Sequence, residues 1–276
     1  MTSERFIAIA TPTALLFALL AVVLPSGAGA QYARFALPIS LVIGAGLAFW
    51  VGAFYRAGMR NAFWLLGGFL LLYGLSNWDW LLSSVAERLG ANFLRALLIY
   101  QIVDYAMLLA ATVWVVRMVD VRRLSRPGWL FAAGTVVVAV AFVLNGMPTV
   151  RELFDLSSEA GTIYLVIRIF DVLVMTMLVP VVWLYVQNAN SEYRENSTFM
   201  LVLVGIIASL TSAYLYEIVK GDPLTVIAAS EYQQGSFLDV LYLFGYLIIA
   251  IGLFAHRKHQ EWSFNRLDRL LLGDGS

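Results

Sequence analysis

Eight apolar runs, each close to the length that crosses a bilayer as one helix, dominate this chain. A spanning helix needs about 20 apolar residues, because each contributes about 1.5 Å to a hydrocarbon core about 30 Å thick. The runs fall at Phe6–Pro25, Phe35–Tyr55, Ala62–Val85, Phe93–Val116, Trp129–Met147, Thr162–Val186, Thr198–Val219 and Phe237–Ala255. In hydrocarbon every backbone N–H and C=O must be satisfied within the segment, which a helix achieves. The expectation is therefore an all-α integral membrane protein with eight transmembrane helices. Composition agrees: 61% of the 276 residues are hydrophobic and 13% charged, against about 25% charged in soluble domains.

Several chemistries are excluded at this level. Net charge is zero, so no basic surface advertises nucleic acid. With no cysteine there is no disulfide, iron–sulfur or thiolate metal site. The two histidines, His256 and His259, follow the last apolar run. They share a helix face at a spacing of three, but two ligands do not make a metal site. The expectation is a solvated pair, with no metal and no cofactor.

Basic residues set the orientation. With the N-terminus in the cytoplasm, twelve Lys and Arg fall on that side, and five fall opposite at Arg34, Arg88, Arg95, Arg151 and Lys220. Both termini are thus expected inside a plasma membrane. The first run has a rival reading. Arg5, the apolar run and Ala28-Gly29-Ala30 imitate a secretory signal and its cleavage site, although the run exceeds the usual 7–15 residues. A retained helix is the reading taken.

The stretch AFWLLGGFLLLYGLSNWDWLLSSV, from Ala62 to Val85, has a counterpart in TFMLVLVGIIASLTSAYLYEIVK from Thr198. At an offset of 138, Gly67 falls on Gly205 and Asp79 on Glu217. The layout suggests two parallel four-helix repeats, residues 1–121 and 128–258, joined by a basic linker at 122–127. An amphipathic cytoplasmic tail at 259–276 follows. Parallel repeats are known among transporters. Two loops have apolar content: PTVRELFDLSSEAG, read as a short surface helix, and GDPLTVIAASEYQQGS, read as a cavity cover or a plain loop.

Ionisable residues within spans are a functional hypothesis by default. Asp79, Glu217 and Asp239 fall near the outer face, and Asp104, Arg168 and Asp171 lie deeper, toward the midplane. The inner half is almost uncharged, which suggests a polar cavity opening outward above an apolar floor. Gln101 lies three residues before Asp104, and Arg168 can pair with Asp171 at the same spacing. Asp239, Tyr242 and Tyr246 form a stripe at spacings of three and four. Candidate ligand-binding residues are therefore Asp79, Gln101, Asp104, Arg168, Asp171, Glu217, Asp239 and Tyr242. Each also has a plain structural reading, as an ion pair, a solvated headgroup-level acid or helix packing.

In the tail, Trp262, Phe264, Leu267, Leu270 and Leu271 alternate with basic residues at near-helical spacing. This reads as an anchor for the last span, an interfacial helix or a docking helix. Arg257, Trp262, Phe264, Leu267 and Leu271 are the candidate contacts to a membrane or cytoplasmic protein partner.

The closing stretch GSFLDVLYLFGYLIIAIGLFAHRKH, with Asp239, Tyr242, Gly245, Tyr246, Gly252 and Leu253, resembles the last span of the multi-span sensory regions ahead of prokaryotic histidine kinases and diguanylate cyclases. FWLLGGFLLLYGLSNWDW resembles another of their spans. The resemblance covers two spans well and the rest by topology, and no kinase or cyclase domain follows Ala255 here. It implies that output passes to a separate partner, or that the sensory fold serves as a subunit.

The function expected is a non-enzymatic sensory or accessory membrane subunit that binds a small ligand, lipid or partner. A small secondary transporter using Asp104, Arg168 and Asp171 is the alternative. A lipid-modifying enzyme is the lesser one, since no histidine lies in a span and no nucleophile–base or acid–metal cluster is visible.

Overall fold

The computed structural model describes residues 3–119, 124–145, 159–187, 195–221 and 237–272, with backbone alone at a number of positions that include Asp79, Arg168, Glu217 and all from Trp262 on. Among these residues the chain forms nine α-helices: α1 (Ser3–Val23), α2 (Ser26–Gly52), α3 (Ala57–Ser76), α4 (Asp79–Leu89), α5 (Phe93–Met118), α6 (Arg126–Asn145), α7 (Glu159–Gln187), α8 (Glu195–Gly221) and α9 (Phe237–Leu272). Five stretches are long and apolar enough to cross a membrane: Arg5–Val23, Gly27–Gly52, Ile99–Met118, Ile169–Gln187 and Phe237–Glu261. Thr198–Ser212 is a shorter apolar helix. The chain is thus a polytopic membrane protein.

Six helices close a ring in the order α2, α3, α5, α7, α8, α9 and back to α2. Each contributes to one apolar core, through Leu41, Phe63, Leu108, Leu178, Val202 and Leu253 in turn. Outside the ring, α1 lies against α9 and α2, seating Ala18 and Ala21 on Val240 and Leu243. On the far side α6 packs on α7, with the Phe131 and Trp183 rings stacked at 4.8 Å. The outer faces of these two helices are apolar and exposed, at Leu16, Phe17 and Val23 and at Leu130 and Val137. That inversion of the soluble pattern is what a lipid solvent calls for.

Three sequence expectations are corrected by the backbone. The second apolar run was placed from Phe35, but α2 begins at Ser26, so Leu24 and Pro25 alone join it to α1. The Ala28–Ala30 triplet that imitates a cleavage site is helical within α2. The Ala62–Val85 run is not one helix. It breaks at Asn77, whose side-chain amide donates to the Tyr73 carbonyl at 2.7 Å and whose backbone N–H reaches Gly74. Local side-chain bonding of this kind competes with continued helix. Lastly, the residues after Ala255 are not a separate tail element, because α9 runs on unbroken to Leu272. Of the basic linker expected at 122–127, residues 124–127 are described, and Arg126 and Pro127 already belong to α6; the two apolar loops lie mostly outside the described residues.

The tightest helix pair is α8 with α9. A Cβ on Gly205 would sit 2.8 Å from the Gly245 carbonyl oxygen and 2.9 Å from the Ile249 nitrogen. A Cβ on Gly245 would meet Ser209 Oγ at 2.5 Å. The two backbones touch, as small residues permit between membrane helices. Gly205→Ala is expected to destabilise the fold by about 1–3 kcal/mol, the usual range for overpacking. Gly46→Ala, at a position where a Cβ meets nothing within 4 Å, should be neutral or stabilise by about 0.5–1 kcal/mol. Thermal unfolding of the two purified variants checks the contrast.

Candidate functional site

The sequence-marked acids are not all alike once folded. Asp104, on α5, is 1% exposed, and neither carboxylate oxygen has a hydrogen-bond partner. Asp171, on α7, is fully buried but engaged in an interaction. Asp239 lies half-buried in the first turn of α9 and is likewise engaged. Gln101 is half-buried. Asp79 is not late in a long helix but is the first residue of α4, where a carboxylate complements the helix dipole. Glu217 falls inside the uninterrupted α8, so the two acids matched at an offset of 138 occupy different backbone settings. The expected Arg168–Asp171 pair involves a side chain outside the described residues.

Around Asp104 the ring gathers tyrosines. Tyr100 and Tyr246 lie within electrostatic reach of its carboxylate. The Tyr100 hydroxyl donates across to the Leu72 carbonyl on α3 at 2.5 Å. Tyr73 and Tyr246 share a side-chain hydrogen bond, with ring centroids 5.9 Å apart. Tyr105 meets Tyr73 edge-on at 6.4 Å, and Tyr242 stacks on Tyr246 at 6.3 Å. These residues come from α3, α5 and α9, three members of the ring. Phe69, Tyr73, Tyr105, Ser209 and Tyr246 are among the side chains around a small cavity, with about 10 Å³ open to the centre of a water. That is about one water's worth. Sequence reading singled out Tyr242 and noted Tyr246 as packing, but missed Tyr73 and Tyr105.

A second polar node sits at the other end of the apolar core, and it overturns the expectation of solvated histidines. His256 is 4% exposed. Its Nε2 lies 2.5 Å from the Tyr55 hydroxyl, and its Nδ1 lies 2.9 Å from Thr198 Oγ1. The imidazole stacks on Tyr55 and has Phe63 and Phe199 at 5.8 and 6.0 Å. It thereby ties α9 to α8 and to the α2–α3 turn. The apolar floor expected below the acids therefore ends in a buried, fully bonded polar group. The signal was present in the sequence: Tyr242, Tyr246, Ile249, Leu253 and His256 follow spacings of 4, 3, 4 and 3, so the inward stripe of α9 runs through His256.

Arg257, expected to face a partner, is engaged within the chain. Its guanidinium lies over Phe54 at 4.5 Å and Trp50 at 5.1 Å, and Nε bonds Glu261 at 3.0 Å. Trp262, Phe264, Leu267 and Leu271 continue on the α9 backbone. No family model, curated protein or solved structure matches the chain.

His256→Phe keeps the ring volume but leaves the Tyr55 and Thr198 hydroxyls unpaired. It is expected to cost about 1–3 kcal/mol of stability, the penalty for a buried orphaned polar group. Adding Tyr55→Phe removes one of those orphans and should restore part of the loss. A double-mutant cycle on thermal unfolding measures the coupling.

Proposed function

We propose that this chain is a non-enzymatic sensory or accessory subunit of the plasma membrane, reading the Asp104–tyrosine cluster and passing its state along α9 to a protein partner. The observation that carries the reading is the continuity of α9. Its 36 residues extend about 54 Å at 1.5 Å each, well beyond the roughly 30 Å of hydrocarbon. One end supplies Tyr242 and Tyr246 to the cluster, the middle is fixed by His256, and the far end carries Trp262, Phe264, Leu267 and Leu271. A helix without a break can transmit a shift or rotation between its ends. The resemblance of its sequence to the closing spans of prokaryotic sensory regions supports the same role. Because Arg257 is held inside the chain, the partner surface is read as starting at Trp262.

Within this reading the bundle has eight spans in two parallel four-helix repeats, with both termini cytoplasmic. The neighbour pattern supports it. Setting α1, α2, α3 and α5 against α6, α7, α8 and α9 matches the packing of α1 on α2 with α6 on α7. It likewise matches α2 on α3 with α7 on α8, α3 on α5 with α8 on α9, and α2 on α9 with α7 on α5. The packing of α1 on α9 has no counterpart of similar extent at α6. The same near-symmetry, with an unpartnered carboxylate inside the ring, is also what a small secondary transporter would use, and this is the second reading.

Purification of tagged protein from its native membrane in mild detergent, followed by native mass spectrometry, separates the two. The expected result is a stoichiometric protein partner whose recovery falls at least about tenfold, or 1.4 kcal/mol, when Leu267 and Leu271 are both replaced by Asp. A lone protein that catalyses solute counterflow in vesicles would favour the transport reading.

A further inference from the structure

We propose that Asp104 and its surrounding tyrosines form a binding site for a monovalent cation. The inference deepens the sensory reading by naming the class of ligand that its outer cluster takes. It starts from an imbalance. Asp104 brings a carboxylate to a position 1% exposed, and no N–H or O–H donates to either oxygen. A buried charge normally has a partner or a bound ion, since an unpaired one costs several kcal/mol. An apolar side chain would pack there without that penalty. Asp171, equally buried, is engaged although one of its oxygens has no hydrogen-bond partner, whereas at Asp104 both oxygens lack one.

The surroundings favour positive charge. The groups within electrostatic reach of Asp104 are the phenols of Tyr100 and Tyr246. Tyr100 already gives its hydroxyl proton to the Leu72 carbonyl. Among the described side chains these phenols are the groups that interact electrostatically with the carboxylate, and phenol oxygens and aromatic ring faces attract cations. Charge and size then narrow the class. A single carboxylate balances one positive charge, whereas calcium takes six to eight oxygen ligands and commonly several carboxylates. The small cavity lined by Tyr105 and Leu108, which neighbour Asp104 on α5, and by Tyr73 and Tyr246 has room for one water-sized occupant. An alkali metal ion or a proton meets these conditions, and an organic ligand does not fit that space. Among the titratable groups on the helices of the ring are Tyr100 and Tyr105 on α5, Tyr73 on α3, Tyr242, Tyr246 and Asp239 on α9, Asp171 and Arg168 on α7, and Glu217 on α8.

The test is the thermal unfolding midpoint of the full chain in lipid nanodiscs at constant ionic strength. In one arm choline chloride is exchanged for sodium or potassium chloride at fixed pH. In the other, pH is stepped from about 8 to about 5 in choline chloride alone. A ligand present at a hundred times its Kd is expected to raise the midpoint by about 5 °C or more. A rise with sodium or potassium identifies a metal ion, and a rise with acid alone identifies the proton. Either supports the site if Asp104→Asn abolishes the response. A flat wild-type response in both arms, or a response that Asp104→Asn retains, overturns it. Should Asp104→Asn not fold, Tyr246→Phe takes its place. That variant keeps the ring but removes an oxygen, and is expected to weaken the apparent affinity at least threefold; an unchanged affinity overturns the site. Neither arm involves the tail or a partner, so this result and the partner-recovery result fail independently.

Discussion

The register of α9 against α8 is the constraint on which the rest depends. Gly205 and Gly245 bring the two backbones into contact, which fixes both the axial position and the rotation of α9. Rotating this helix by one residue, about 100°, would turn Tyr246 out of the tyrosine cluster and His256 away from Tyr55 and Thr198 together. Both polar nodes therefore rest on a contact that contains no polar side chain except Ser209. Lipid tails are as apolar as leucine, so burial alone drives little association between membrane helices. Close packing of small residues supplies the geometry that burial supplies in a water-soluble core.

The two nodes behave differently because their hydrogen bonding differs. At His256 both ring nitrogens have a hydroxyl partner and three aromatic rings surround the imidazole. Such a satisfied group rigidifies and specifies one arrangement. At Asp104 the carboxylate has no partner while the neighbouring tyrosines bond to one another or to backbone. An unsatisfied group defines a place where something else is able to bind. One end of the core is thus fully bonded and the other holds an unpaired carboxylate, with mostly apolar side chains such as Phe63, Leu66, Leu108 and Leu203 between them.

Helix content and membrane class were legible from apolar run length, since run length is what hydrocarbon thickness selects. The depth of Asp104 was legible too, from its place within a long apolar run. Three things were not. The break at Asn77 is decided by one side-chain amide that recaptures the Tyr73 carbonyl, a local competition that hydropathy does not register. The short α1–α2 connection depends on the small, mildly polar segment after Pro25 remaining helical. The burial of His256 was hidden by the basic residues that follow it. Arg257 and Lys258 suggest water, yet both lie over the Trp50 ring, and the helix stripe carries His256 inward between them and the core. Tyr73 and Tyr105 were invisible for another reason: a tyrosine in an apolar run reads as packing until tertiary contact shows what its hydroxyl meets.

A ligand shifts a conformational equilibrium only by its differential affinity for the two states. Within the ring described here, His256 has little to gain from any new partner, since its hydrogen-bonding capacity is already filled. Neither oxygen of Asp104 has a hydrogen-bond partner, so a cation at the proposed site would favour whichever arrangement holds the tyrosines close to it. Tyr246 stands on α9, and α9 is the helix held near its middle by His256. A change in how tightly the tyrosines gather around Asp104 therefore acts on a helix pivoted at His256, and the longest lever on that pivot is the segment from Trp262 to Leu272.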